Sequence, residues 1–368
     1  METNRRQFIG KLLGSFATAG IFSNGVFPLA AIADPSSDNP ARFIAARKNI
    51  AGQFSAAVLD AQGNLIFSED LNGRGHATAI SPDKKLAVVF ARRPGRFALV
   101  LDLINRNKRT AITPPDGHHF FGHGFFSNDG RLLYASENDY ENERGIIGIY
   151  DITANFMRVS EIETHGIGPH EALLMSDGST IAVANGGILT HPDYPRQKLN
   201  LSTMEPSISY LDARNGKLIS QASLPREFYQ LSLRHMTEAK GGTIWIGGQY
   251  EGSPTDQLNL VACHQRGKPL TLVSSPKIYD GMKHYIGSVA ANASGTLVAT
   301  SAPRGNTIAI WNNDSGELVR KIQRQDAGGV AGFGEDFAIS DGLGNLSVTE
   351  KTIHQNTDFA WDNHLTSL

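Results

Sequence analysis

The chain has 368 residues, with 34 Lys+Arg against 36 Asp+Glu, 38 Gly, 12 His and a single Cys. One cysteine excludes an internal disulfide, CxxC zinc sites, thiolate-held iron–sulfur clusters and c-type haem attachment, each of which needs at least two at fixed spacing. A net charge of −2 without a basic tract gives no electrostatic footprint for nucleic acid or anionic lipid, so what remains is a glycine-rich globular protein whose histidines need a purpose.

The first residues read as an address. Asn4-Arg5-Arg6-Gln7-Phe8-Ile9-Gly10-Lys11 carries paired arginines, an aromatic two places on and a trailing lysine, and it resembles a twin-arginine (Tat) signal peptide. The apolar run from Leu12 to Ala33 is broken by Ser15, Thr18, Ser23, Asn24 and Pro28, which disfavours a stable membrane span. Ala31-Ile32-Ala33 supplies a small-x-small cleavage pattern before Asp34. The expectation is a signal peptide over 1–33, a linker over 34–40 and a single domain over 41–368. The product would be periplasmic, without a membrane span after cleavage, and export in the folded state favours a bound cofactor.

Beyond Ala41 short β-branched or aromatic runs alternate with turn signals, and nothing reads as a long amphipathic helix. The N-terminal strands are Arg42–Ala46, Ser55–Leu59 and Leu65–Glu69. A unit then recurs: a small-residue start, a strand, a Ser/Asn-Asp-Gly type turn, an apolar strand, a loop, and a third strand ending near Asp. It runs Ala77–Ile80, Ser81-Pro82-Asp83-Lys84, Leu86–Phe90 and Ala98–Leu103, then Gly124–Phe126, Ser127-Asn128-Asp129-Gly130, Leu132–Ser136 and Ile146–Asp151. Glu171–Met175, Thr180–Ala184 and, after a long insertion, Ser209–Asp212 make the next copy. Thr243–Gly247 marks the fourth, Leu297–Ser301 with Thr307–Trp311 the fifth, and Val330–Phe333, Phe337–Ser340 and Asn345–Val348 a weaker sixth. A period near ~50 residues suits a four-stranded propeller blade. The reading is an all-β, seven-bladed β-propeller, with Phe359-Ala360-Trp361 joining the N-terminal strands so that both chain ends close the ring in one blade.

Turns of the Ser-Pro-Asp kind (Ser81-Pro82-Asp83) and the Asp-x-x-x-Gly-Lys kind (Asp212 to Lys217) are present while Trp-Asp endings do not recur, so the repeat is similar to the YVTN and lactonase-like propellers. At finer grain, Gly75-His76-Ala77-Thr78-Ala79-Ile80-Ser81-Pro82-Asp83, Gly166-Ile167-Gly168-Pro169-His170-Glu171, His191-Pro192-Asp193-Tyr194 and Trp361-Asp362-Asn363-His364-Leu365 resemble a bacterial Tat-exported family catalogued as domain of unknown function 1513. That resemblance implies a periplasmic propeller whose genes lie beside imelysin-type and di-haem-oxidoreductase-type proteins of iron acquisition. Other periplasmic iron-uptake or redox proteins are the partners it implies.

In a propeller the innermost strands line one channel, so residues at their starts converge. His76, His123, His170 and His235 each precede a first-to-second strand turn by four or five residues, and His364 follows the closing strand. His284 lies just before an inner strand starting near Ile286. Neutral imidazoles meeting in a funnel are a ligand set for a transition metal or a haem iron and need no cysteine. Taken singly, Gly75-His76 and Gly122-His123 also fit the structural Gly-His pair of WD repeats, whose imidazole bonds within its own blade. Polar neighbours favour a functional funnel: Arg234 before His235, Asn363 before His364, and Asn185, Tyr250, Arg93 and Arg304 after second strands.

Weaker signals fill out the chain. His118-His119-x-x-x-His123 has chelate spacing only on a helix, which Phe120-Phe121-Gly122 opposes, so His118 and His119 read as loop residues. The four acids from Glu137 to Glu143 read as a solvated loop and Cys263 as a buried apolar residue. The insertion Gly187–Pro206, with His191, Asp193, Tyr194, Arg196 and Lys198, reads as a lid. His170-Glu171 starts like a zinc-protease motif, but Leu174 stands where the second histidine belongs.

Three functions follow. One is a metal- or ligand-binding accessory of iron or haem handling, with His76, His123, His170, His235 and His364 as metal ligands and Arg234, Asn185, Tyr250 and Asn363 around the bound group. The second is a lactonase-like hydrolase or oxidoreductase in which Glu171 moves a proton and Arg93 or Arg304 grips an anionic substrate. The third is a metal-free docking scaffold.

Overall fold

Runs such as Leu86–Ala91 and Thr180–Asn185 lack the alternation of a half-exposed strand, and every residue of Thr180–Asn185 is buried. A strand apolar on both faces must be covered on both, which happens when sheets stack face to face around an axis. The computed structural model, which describes residues 40–368 apart from 94, 195 and 196, has this arrangement. The signal peptide expected over 1–33 and nearly all of the 34–40 linker lie outside the described residues.

Seven antiparallel sheets of four strands form the blades of a β-propeller. Blade 1 combines Phe359–Ser367 with Phe43–Asn49, Phe54–Leu59 and Leu65–Leu71. Blades 2 to 7 follow in chain order, with first strands Gly75–Ile80, His118–Phe126, Pro169–Leu174, Leu231–Ala239, Ser288–Ala291 and Ala327–Phe333. Each first strand touches the first strand of the blades on either side, in a closed circuit.

The core is divided among the blade interfaces. Ile44, Val58, Val89 and Leu101 pack between blades 1 and 2, Phe90, Phe126 and Leu133 between 2 and 3, and Ile147, Ile181 and Leu211 between 3 and 4. Corresponding clusters fill the other four interfaces, the last being Phe43, Ala57, Ala338 and Leu346 between blades 7 and 1. Burying a large aliphatic or aromatic side chain contributes roughly 1.5–3 kcal/mol, and these seven clusters hold the blades together.

Turn chemistry sets the strand ends. Ser81 Oγ donates to Asp83 and accepts the Leu86 amide at 2.9 Å, and Ser127 repeats this with Asp129 and Leu132. After third strands, Asp102, Asp151, Asp212 and Asn312 each accept backbone amides two residues on.

The closing strand is longer than the sequence indicated. It runs Phe359–Ser367, pairs with Phe43–Asn49 from Asn49↔Phe359 to Phe43↔Ser367, and contains His364 where that histidine was expected to follow it. His118 and His119 are not loop residues: they open the strand His118–Phe126, and His119 is buried. Glu137 and Asp139 are likewise buried at the end of Leu132–Asp139, because Tyr150 (2.5 Å), His118 (3.0 Å) and Arg158 (3.2 Å) satisfy the Glu137 carboxylate. Cys263 is half-buried, with Sγ 3.6 Å from Thr271 Oγ1, since the strand outside it, Thr271–Leu272, is only two residues long and covers it incompletely.

Candidate functional site

Six of the seven first strands slip register at one level. In blade 2 Gly75 pairs with Ala91 and Thr78 with Val89, leaving His76 and Ala77 opposite one residue. The slip covers Phe121, Gly122 and His123 in blade 3, His170 in blade 4 and Arg234, beside His235, in blade 5. It covers Asp362, Asn363 and His364 in blade 1 and Gly328 and Gly329 in blade 7. A β-bulge bends its strand and re-aims a side chain, and here bulges in neighbouring blades turn five imidazoles toward one another.

The five rings form one pack. Centroid separations run from 4.3 Å for His76–His364, through 4.5 Å for His170–His235 and 4.9 Å for His76–His123, to 5.9 Å for His76–His235. None is more than 9% exposed. Gly122, at φ +99°, gives His76 its room: a Cβ there would stand 2.5 Å from the His76 ring.

Burial, then the mutual repulsion of neighbouring imidazoles, holds His76, His170 and His364 well below the ordinary histidine pKa. Burial takes His235 down to about 4, against the opposing pull of Glu171. These rings are therefore neutral at pH 7, the form that binds metal. Buried without a hydrogen-bond partner are His76 Nδ1, His123 Nε2, His170 Nδ1, His235 Nδ1 and His364 Nε2.

Two carboxylates complete the cluster. Glu171 Oε1 lies 3.6 Å from His123 Nδ1 and Oε2 lies 3.5 Å from His235 Nδ1, while Oε2 also accepts the Met236 amide at 3.1 Å. Burial alone would raise the Glu171 pKa, but the two facing histidines hold it well below the usual carboxylate range. Asp362 Oδ1 stands 3.8 Å from His76 Nδ1, and its other oxygen accepts from Arg74. Three overlapping donor sets, His76/His235/His364, His76/His123/His170 and His123/Glu171/His235, each bring their ligand atoms within 4.8 Å of one another.

His76, His170 and His235 also face a chamber of about 990 Å³, whose wall includes Arg74, Arg92, Arg93, Lys198, Arg234, Arg304, Tyr250 and Glu251. Arg93 and Arg304 come from the loops after second strands in blades 2 and 6, and Arg234 from the blade 5 bulge. Lys198, from the insertion, pairs with Glu251, and Asn138 Nδ2 fastens that insertion through the Thr190 carbonyl at 3.0 Å. The insertion thus reaches the chamber wall through Lys198, and Arg196 is outside the described residues.

The remaining candidates lie apart. Asn185 is fully buried between Thr164 O (3.1 Å) and Ser209 Oγ (3.0 Å) and does not line the chamber. Asn363 donates to Tyr285 Oη at 3.1 Å and touches the chamber only through that ring. His284 is on the chamber wall with Nε2 2.8 Å from the Asp256 carbonyl, outside the five-ring pack. Sequence reasoning missed Arg74 and Glu251; each stands one or two positions from a named residue, His76 and Tyr250, and a common rim would have drawn them in.

Fold and site together define a β-propeller with clustered histidines at the inner ends of its blades. Residues 69–368 match the profile of the family described as "Protein of unknown function (DUF1513)", and the chain belongs to that family. Among solved structures, Kuenenia stuttgartiensis hydrazine synthase superposes with a TM-score of 0.63 at 15% identity, covering 89% of this chain and 98% of that one. The β-propeller domain of Myceliophteria thermophila Cps50 (Swd1) gives 0.57 at 11%, covering 86% and 94%, and U3-55K gives 0.57 at 14%, covering 82% and 85%. At such identities the likeness is one of fold. No curated protein matches the chain in sequence.

Proposed function

We propose that this protein is a periplasmic, Tat-exported metal-binding accessory of iron or haem handling, which holds a transition-metal ion on His76, His123, His170, His235 and His364. The carrying observation is the set of five buried imidazoles, in which His123 Nε2, His170 Nδ1 and His364 Nε2 have no hydrogen-bond partner and His76 Nδ1 and His235 Nδ1 face only a carboxylate, at 3.8 and 3.5 Å. Leaving so many buried polar atoms unsatisfied costs about 1–3 kcal/mol each, and a metal ion is the ligand that would satisfy several together. Neutral imidazoles with one carboxylate suit copper, zinc or iron, and a thiolate is not required. A haem would need apolar faces, whereas the chamber wall carries six cations and, besides the two tyrosines, Phe121 as its one large apolar side chain, so the reading is of an ion.

The enzyme alternative draws support from Glu171 and the chamber. Glu171 stands between His123 Nδ1 (3.6 Å) and His235 Nδ1 (3.5 Å) with one oxygen already accepting the Met236 amide, which favours it as a ligand or as the group that orients those two rings. Elemental analysis of protein exported by its native pathway tests the metal reading. About one equivalent or more of a first-row metal is expected, falling at least ten-fold in His123→Ala and His235→Ala variants that keep their β-sheet circular dichroism; metal near zero in the unaltered protein would end the reading.

A further inference from the structure

We infer that the chamber above the histidines binds a small anion bearing at least two carboxylate or phosphate groups, held by Arg92, Arg93, Arg234 and Arg304 with one group facing His76, His170 and His235. The inference deepens the metal-binding reading and rests on it for the floor of the site; the arginine wall is independent of it.

Charge balance is the first support. Six cations stand around the chamber, Arg74, Arg92, Arg93, Lys198, Arg234 and Arg304, and the acids paired with them are Glu251 and Asp362. Asp362 is taken by Arg74, and Glu251 is held by Lys198 and stands 3.8 Å from Arg234. Among the described residues no carboxylate comes within ion-pair distance of Arg92, Arg93 or Arg304. Arg304 instead lies over the Tyr285 ring, 4.2 Å from its centroid. Guanidinium groups gathered on one concave wall repel one another, so their convergence does not stabilise the fold; it creates a positive potential focused in the cavity.

A buried unsatisfied donor is the second support. Arg234 Nε is shielded from solvent and has no hydrogen-bond partner, and its side chain is 11% exposed. A planar guanidinium in that state matches a carboxylate or phosphate edge, which accepts two parallel N–H bonds. The arginines arrive from blades 2, 5 and 6, so they are assembled by the ring and are not a solvated basic run. Size is the third support: about 990 Å³ is at the upper end of small-molecule sites and exceeds what a lone chloride or phosphate needs.

Isothermal titration of the purified mature protein with tricarballylate, a tricarboxylate, and separately with pyrophosphate tests this, with metal content measured on the same samples. Saturable binding of one of them at a single site is expected, weakened by salt and weakened roughly ten-fold or more per arginine in Arg93→Gln and Arg304→Gln. The tighter of the two probes identifies the anionic group. No saturable binding of either, or binding unchanged in the Arg93→Gln/Arg304→Gln double variant, overturns the inference. Anion binding without metal counts against the metal reading and for this one; stoichiometric metal without anion binding counts the other way.

Discussion

At the scale of single residues the site depends on histidines kept neutral by burial. His76, His119, His170, His235 and His364 all have depressed pKa values, His119 and His235 at about 4. In the unfolded chain they titrate near ~6.5. Below that pH the unfolded chain binds protons that the folded one refuses, so folding stability rises with pH between about 4 and 6.5 and is lost as pH falls through that window. Urea denaturation of the chelator-dialysed protein should therefore show a clearly lower midpoint at pH 5 than at pH 7.5; equal midpoints would contradict the buried, neutral state. The convergence of the five axial histidines was legible because four of them lie four or five residues before a blade turn and His364 lies beside the closing strand. Glu137 was not, since its partners His118, Tyr150 and Arg158 are brought to it by cross-strand pairing and packing. In sequence the acids around it look like any solvated run.

At the scale of elements the deciding features are the bulges. One extra residue in a strand disturbs apolar alternation over only two or three positions, so the register slips at His170 and Arg234 leave almost no trace in the sequence. The clearest trace is glycine. Gly328 and Gly329 fill the blade 7 bulge, and a Cβ on Gly329 would meet the Leu365 amide nitrogen and Ser340 Oγ, both at 2.6 Å. Gly329→Ala should push the closing strand away from blade 7, costing about 1–3 kcal/mol and loosening His364. A fall in thermal midpoint together with reduced metal retention would bear this out, and unchanged values of both would show that the closing strand tolerates the displacement. The chamber wall is also an element-scale product: Arg93 and Arg304 look like unrelated loop residues until the second-strand loops of separate blades are placed at one rim.

At the scale of the whole molecule the ring follows from repetition. Each blade supplies a second strand apolar on both faces, each interface has its own cluster, and Phe359–Ser367 beside Phe43–Asn49 joins the chain ends. Blade number and closure were legible because similar turn motifs recur on average about every 50 residues and the two chain ends supply strands for one blade, whereas cavity and charge pattern depend on which loops the ring brings together. Four separate blades and the closing strand must each place one imidazole for the cluster to exist, so the histidine cluster, and with it the proposed metal site, is a property of the closed ring. X-ray absorption at the edge of the metal carried by the natively exported protein tests that claim most directly. A first coordination shell with at least three imidazole nitrogens, marked by their outer-ring scattering, is expected, with loss of that scattering in His123→Ala; a shell without imidazole scattering, or a protein that carries no metal, would contradict a metal site built from the clustered histidines.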